Sequence, residues 1–241
     1  MTAVDAQIQS LQRALQAKDQ ALTDFTYTVS HDLKANLRHI KAYLGILQED
    51  MAGVLQPEWQ GYLDVVLSAA SKMGQQIDGL VALSQIDRQA VEAHALPMAA
   101  LIEEARNHLQ SLQAERDVKW QVAHDFPVLL GDSSMVRQIW QHLLHNALKF
   151  TRAQSTAQIN VGWQREADAV WCFVQDNGDG FQASQSQQLF KVFQKLHAGD
   201  EGLGLGLALV RKLVERQGGQ VKADAEPGQG AWFGFSLPAG V

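Results

Sequence analysis

The sequence has a single cysteine, few prolines and no long hydrophobic segment. Cys172 is the only cysteine among 241 residues, so no internal disulfide can form, and its apolar neighbours predict a buried structural thiol. The longest apolar runs fall well short of the roughly 18–20 residues that cross a bilayer, which predicts no membrane span. A hydrophobic content of 46% with 5 prolines is ordinary for a folded globular protein and argues against disorder.

Positive charge is also scarce. The 20 Lys and Arg residues against 26 Asp and Glu give a net charge of −6, so we expect neither nucleic acid nor anionic lipid as a partner. The N-terminus has no basic stretch followed by an apolar core, which predicts a cytoplasmic location. Eight histidines lack the spacing of a zinc site, and although His142 and His145 share a predicted helix, they are interpreted as surface histidines.

Hydrophobic residues in the first ninety positions recur in steps of three and four. Residues 1–24 have the pattern of a two-stranded coiled coil, and extra four-residue steps after Phe25 should unwind it locally. Gly53 and Pro57 break the first helix, and a second periodic run extends from Trp59 to Leu80. The seam consists of Val4, Ile8, Leu11, Leu15, Leu22, Phe25, Val29, Leu33, Leu37, Ile40, Leu44, Leu47 and Met51, then Trp59, Leu63, Val66, Ala70, Met73, Ile77 and Leu80.

Two long helices joined by a short loop should lie antiparallel. A seam of this length is most simply covered when two such hairpins pair into a dimeric four-helix bundle, although a monomeric hairpin packed on the rest of the chain is an alternative. His31 follows Val29 by two residues and so points about 200° away from the seam, into solvent. By position alone it is best explained as an ordinary surface histidine.

The pattern changes near residues 90–97, where we place a domain boundary. Beyond it the sequence predicts an α/β sandwich, a mixed sheet with helices on one face. The predicted helices span about 98–113, 132–150 and 205–217, and the predicted strands about 118–123, 158–163, 169–175, 219–225 and 231–237.

Three segments of this second region have residues suited to binding chemistry. HLLHNALKF puts Asn146 and Lys149 on one helical face, a carboxamide oxygen for a hard cation and an ammonium for phosphate. DNGDGF puts Asp176 at the end of a strand, with Gly178 and Gly180 permitting close backbone approach to a planar ligand. A hairpin turn would explain DNGDGF equally well.

The third segment, GLGLGLALV, places Gly202, Gly204 and Gly206 just before an amphipathic helix. Such a loop presents backbone N–H groups and a positive helix end to phosphates. A Rossmann dinucleotide site would need a strand immediately before the loop, and none is predicted there.

In combination, SHDLKANLRHI, HLLHNALKF, DNGDGF, LFKVFQKLH and GLGLGLALV resemble, in this order, the homology boxes of sensor histidine kinases. The resemblance covers about residues 22–238 and is greatest to the kinase modules of phytochrome-type and PAS-type sensors. It implies a signalling coiled coil over 1–24, a dimerisation and histidine phosphotransfer domain over 25–90, and a catalytic ATP-binding domain of the histidine-kinase/gyrase type over 97–241.

The resemblance also implies roles for individual residues. His31 is the implied phosphoacceptor, with Asp32 hydrogen-bonding its imidazole, and Asn146 is the implied Mg²⁺ ligand. Asp176 is implied to accept a hydrogen bond from the adenine amino group. Other implied ATP-binding residues are Lys149, Gly178, Gly180, Phe193, Lys195, Gly202, Gly204, Gly206 and Leu207, where Lys195 is equally well explained as a solvated lysine.

The implied function is autophosphorylation from Mg·ATP followed by transfer to an aspartate of a response-regulator receiver domain, with input from an upstream sensor domain or sensor protein. Among the departures from the family pattern, Asn36 stands where proline is usual, and His142 replaces the first of two paired asparagines. These departures favour an alternative, a nucleotide-binding pseudokinase that serves as a helical scaffold. A second alternative is an ATP-hydrolysing conformational machine, which His142 disfavours because it is not a carboxylate base.

Overall fold

The computed structural model describes residues 3–114, 116–167, 169–195 and 202–239. The chain divides into two compact units, residues 1–88 and 89–241. The side chains of Val4 and Leu15 in the predicted coiled coil, and the stretch between Lys195 and Gly202, lie outside the described residues.

The first unit is a helical hairpin. Helix α1 covers Ala3–Asp50 without interruption, including Asn36, and helix α2 covers Pro57–Ile86. Proline suits the first position of α2 because that position has no intrahelical partner for its backbone nitrogen. Polar pairs connect the two arms of the hairpin. They include Lys34 with Asp78 (2.5 Å), Gln48 with Asp64 (3.1 Å) and, just after the end of α2, Arg88 with Asp24 (3.0 Å).

The two helices meet along a stripe that coincides only in part with the predicted seam. Residues along this stripe are buried or half-buried in both helices. In α1 they are Thr26, Ser30, Lys34, Leu37, Leu44 and Gln48, and in α2 they are Leu63, Leu67, Ala70, Gly74, Ile77, Val81 and Ser84. Several seam residues remain exposed within this chain, among them Phe25 (66%), Leu33 (46%) and Met73 (46%). The predicted seam therefore merged two neighbouring stripes, because steps of three and four cannot separate stripes that lie about 100° apart.

The second unit is a two-layer α/β sandwich, as the sequence predicts. Its strands are β1 (His94–Ala95), β2 (Val118–Val122), β3 (Leu130–Gly131), β4 (Ala157–Glu166), β5 (Ala169–Asp176), β6 (Val221–Ala225) and β7 (Ala231–Ser236). The five-stranded sheet has the order β2-β4-β5-β7-β6, in which only the β2–β4 pair is parallel. Strands β1 and β3 form a separate antiparallel pair.

Helices α3 (Met98–His108), α4 (Ser133–Phe150) and α5 (Gly206–Arg216) complete this unit. The fully buried Trp140 of α4 packs edge-on against Phe235 of β7, with ring centroids 5.1 Å apart. Cys172 of β5 is completely buried, and burial raises the pKa of its thiol to about 12, which confirms the predicted structural thiol. The core between α4 and the sheet thus fixes the ends of α4 and β5, where the candidate binding residues lie.

Candidate functional site

His31 lies on an exposed face of α1 in the first unit. Its side chain is 66% exposed, and its Nδ1 lies 3.3 Å from Oδ1 of Asp32. When Nδ1 carries the proton and donates to Asp32, Nε2 keeps its lone pair and faces solvent. The preceding residue, Ser30, is buried against the hairpin, so the helix holds His31 outward at a fixed point.

Asp176 is the buried carboxylate of the second unit. It ends strand β5 with 6% of its surface exposed, and its Oδ1 accepts a hydrogen bond from the backbone N–H of Gly178 at 2.8 Å. Burial raises the pKa of Asp176 to about 6, while backbone N–H groups of Gly178 and Ala231 oppose the shift. A carboxylate held in this way can accept a strong hydrogen bond from a ligand amino group.

Glycines surround Asp176 because the backbone turns leave no room for side chains. A methyl group on Gly178 would overlap the carbonyl oxygen of Phe150, and one on Gly180, where φ is +65°, would overlap that of Glu226. Gly230, with φ of +89°, similarly packs directly on the carbonyl of Asp176. The two glycines of DNGDGF are therefore required by close contacts with the chain's own backbone beside Asp176.

The glycine-rich loop lies beside α4. A methyl group on Gly202 would be 3.9 Å from Nζ of Lys149, and one on Gly206 would be 3.5 Å from Nδ1 of His142. Gly204 adopts φ of +68°, and its carbonyl accepts a 2.9 Å hydrogen bond from the N–H of Phe193. The loop at the start of α5 is thus next to the polar face of α4.

The remaining predicted ATP-binding residues belong to the same second unit. Asn146 is half-buried on α4, three residues before Lys149, whose Nζ lies 4.3 Å from the ring centroid of Phe150. Leu207 is half-buried in the first turn of α5, whereas Phe193 and Lys195 are exposed. His31 and Asp32 belong to the other unit, so the structure groups the predicted residues into two sites.

His142 is not the surface histidine that its isolated position suggests. It is half-buried between α4 and the start of α5, and burial, followed by the nearby His145, lowers its pKa to about 4. The sequence did not indicate this burial because Gly206, which lies beside Nδ1 of the imidazole, is more than sixty residues away in the chain. His142 is consequently neutral near pH 7.

Three further residues support the site without having been predicted. Arg116 donates hydrogen bonds to the carbonyl oxygens of Leu148 (2.8 Å) and Thr151 (2.9 Å) at the end of α4. Phe150 contacts Lys149 and Gly178, and Gly230 contacts Asp176. Phe150 is the last residue of the motif HLLHNALKF, which could have suggested it, but nothing in the sequence near Gly230 or Arg116 indicates their roles.

The donor set is suited to a hard divalent ion only if phosphate oxygens complete it. In the described part of the chain, no three His, Cys, Asp or Glu residues cluster closely enough to hold a metal. Asn146 offers a carboxamide oxygen. Gly202 and Gly206 have no side chains, so they leave space beside α4 that larger residues would fill. This donor set is compatible with a divalent ion that is held mainly by a bound nucleotide.

Two family models match the chain in the two units. The model of the His Kinase A (phospho-acceptor) domain matches residues 21–89, and the Histidine kinase-, DNA gyrase B-, and HSP90-like ATPase model matches residues 131–241. The chain belongs to the sensor histidine kinase family. Its second unit is accordingly an ATP-binding domain of that family, and the predicted resemblance is confirmed.

Relatives and solved structures agree with this membership. Cyanobacterial phytochrome A of Nostoc sp. is 31% identical over 97% of this chain, and the methanogenesis regulatory histidine kinase FilI of Methanothrix harundinacea is 30% identical over 93%. The chain spans only 31% and 25% of those two proteins. The fold is similar to that of full-length ShkA, crystallised with AMPPNP, with a TM-score of 0.64 and 22% identity over 90% of this chain and 46% of ShkA.

Among the described residues, none of the helices has both the length and the apolar composition that a bilayer crossing requires.

Proposed function

We propose that this chain is the catalytic core of a homodimeric sensor histidine kinase. It transfers the γ-phosphoryl group of Mg·ATP to His31 and then to an aspartate on a response-regulator receiver domain. The observation that carries this proposal is the exposed imidazole of His31, whose Nδ1 is paired with Asp32 at 3.3 Å. That pairing leaves Nε2 as a free nucleophile, which a phosphoryl acceptor requires.

The first chemical step forms one bond and breaks one bond. The Nε2 lone pair of His31 attacks the γ-phosphorus in line, a P–N bond forms, and the bond to the bridging oxygen breaks with ADP as the leaving group. Asp32 retains its hydrogen bond to the Nδ1 proton and stabilises the positive charge that develops on the ring. In the second step, a receiver carboxylate takes the phosphoryl group, and the P–N bond breaks.

The second unit supplies ATP recognition. Asp176 accepts a hydrogen bond from the adenine amino group and would face a carbonyl oxygen in guanine, so it selects adenine. Lys149 contacts phosphate oxygens, and the N–H groups around Gly202, Gly204 and Gly206 surround the phosphates at the start of α5. Mg²⁺, held by Asn146 and the phosphates, would supply charge neutralisation.

The exposed apolar residues of the hairpin support a dimer. Large side chains on one side of α1, among them Phe25, Leu33 and Leu47, are 66%, 46% and 46% exposed in the single chain. A second hairpin would cover them and complete a four-helix bundle. The predicted coiled coil at residues 1–24 is then the route by which an upstream sensor domain or sensor protein acts on the bundle.

Labelling with γ-³²P-ATP and Mg²⁺ tests the proposal. We expect acid-labile, base-stable label on the wild type and none on His31→Gln. His39→Gln is the matched control, because His39 is also an exposed histidine of α1, and it should be labelled as fully as the wild type. Labelled protein mixed with a receiver domain should lose label to it.

Other outcomes contradict the proposal in distinct ways. Nucleotide binding without any label would indicate a pseudokinase scaffold. Release of free phosphate that is unaffected by His31→Gln would indicate an ATP-hydrolysing machine.

A further inference from the structure

The polar face of α4 lies along the glycine-rich loop at two points. Lys149 lies next to Gly202 and His142 next to Gly206, so the loop follows about two turns of α4. Asn146 lies between these points, one turn after His142 and on the same face. A nucleotide phosphate group that contacts Asn146 and Lys149 is therefore also within one helical turn of His142.

The imidazole of His142 is placed to act as a ligand. It is half-buried, it is neutral near pH 7, and no hydrogen bond joins its ring nitrogens to any residue in the described ranges. A neutral imidazole has one nitrogen with a lone pair and one N–H. The start of α5 lies beside Nδ1 of the ring, so an ion or phosphate group bound in front of this loop can meet the nitrogen that has the lone pair.

The two side chains on this face prefer different ions. A carboxamide oxygen such as that of Asn146 suits Mg²⁺, whereas an imidazole nitrogen binds transition-metal ions better than Mg²⁺. We propose that His142 is a nitrogen ligand of the nucleotide-bound divalent ion and shifts the preference of this site from Mg²⁺ toward Mn²⁺. This inference rests on the proposed function only in requiring a metal–nucleotide complex in the second unit.

Pulsed electron paramagnetic resonance of the full chain with Mn²⁺ and ADP tests direct coordination. We expect modulation from a directly bound ¹⁴N nucleus, which changes to the ¹⁵N pattern when the protein is labelled with ¹⁵N-histidine. His142→Asn should abolish this coupling, and His145→Asn, one turn away on the surface of α4, should keep it. The isotope comparison needs no substitution, so it stands even if a variant folds poorly.

Calorimetric titration with ADP measures the ion preference. In the wild type we expect ADP to bind at least several-fold more tightly with Mn²⁺ than with Mg²⁺, and His142→Asn should reduce that ratio by about tenfold, the effect of losing one ligand or its support. His145→Asn should leave the ratio unchanged.

The two proposals fail in different ways. Normal ADP binding without nitrogen coupling, or coupling that persists in His142→Asn, overturns the role of His142 and leaves the kinase proposal intact. Donation from His142 to a phosphate oxygen would give this result, with weaker binding for both ions alike. Absence of ADP binding with either ion overturns both proposals.

Discussion

Two aspartates show how surroundings set the role of a residue. Asp32 is 76% exposed on a helix surface beside His31, whereas Asp176 is 6% exposed at the end of a strand. Asp32 can orient an imidazole without a large desolvation cost. Asp176 accepts hydrogen bonds from backbone N–H groups, and the amino group of a bound ligand can add one more.

Asp32 should act by fixing the tautomer of His31. In Asp32→Asn, we expect the initial autophosphorylation rate to fall by about 10²-fold, the lower end of what a positioned acid–base partner contributes. The affinity for ADP should be unchanged, because Asp32 lies in the first unit. ¹⁵N NMR of His31 should show a mixture of tautomers in this variant. Asp50→Asn, at the exposed end of α1, is the matched control, and a full rate in Asp32→Asn would refute the assigned role.

Asp176 should reduce stability while it serves binding. Its folded-state pKa is raised to about 6, so the free energy of unfolding decreases as pH rises from about 4 to about 6 and is constant above that range. At 1.36 kcal/mol per pKa unit, the cost near pH 7.5 is about 3 kcal/mol. Asp176→Asn should therefore be more stable than the wild type at pH 7.5 by denaturant unfolding, yet bind ADP at least tenfold more weakly.

An exposed neighbour provides the control for this prediction. Asp179→Asn should change stability by less than about 0.5 kcal/mol, as surface substitutions generally do. Lower stability of Asp176→Asn at pH 7.5 would show that the carboxylate is stabilised by its hydrogen bonds rather than penalised by burial.

At the scale of elements, α4 depends on contacts at both of its ends. Asp132 caps its start by accepting from the N–H groups of Ser134 (2.9 Å) and Met135 (3.2 Å). Arg116 caps its end from the loop before β2, close to Lys149 and Phe150. Only the first cap is visible in the local sequence, because the second bridges more than thirty residues.

The cap at the end of α4 should matter for both stability and binding. In Arg116→Met, we expect the free energy of unfolding to fall by about 1.5–3 kcal/mol, since two carbonyl oxygens lose a charged donor. ADP affinity should also fall several-fold, because the last turn positions Lys149. Arg165→Met, on the exposed end of β4, should leave both unchanged in urea unfolding and calorimetry. Equal behaviour of the two variants would contradict the role of Arg116.

At the scale of the whole molecule, the hairpin is incomplete as a single chain. Its inner stripe is covered by the partner helix, while a neighbouring apolar stripe of comparable length is exposed. An exposed apolar patch of this size supports the proposed dimer.

A charge within the exposed stripe should prevent dimerisation. In Leu33→Glu, we expect the mass by light scattering to fall from that of a dimer to the 26.6 kDa of one chain. Ala42→Glu introduces the same charge on the opposite, exposed face of α1 and should leave the dimer intact. A wild-type mass of one chain, or a dimer that tolerates Leu33→Glu, would show that the stripe has another partner.

Periodicity and local motifs determined much of this protein from the sequence alone: the hairpin, the sandwich and the residues next to its turns. These features depend on short-range rules, since helix period, strand alternation and glycine at tight turns involve neighbouring residues. Which of two adjacent stripes lies inside the hairpin was decided only by the tertiary structure. So were the burial of His142 under Gly206, the raised pKa of Asp176 and the cap from Arg116. Each of these depends on contacts between residues far apart in the chain, and such contacts exist only once the chain is folded.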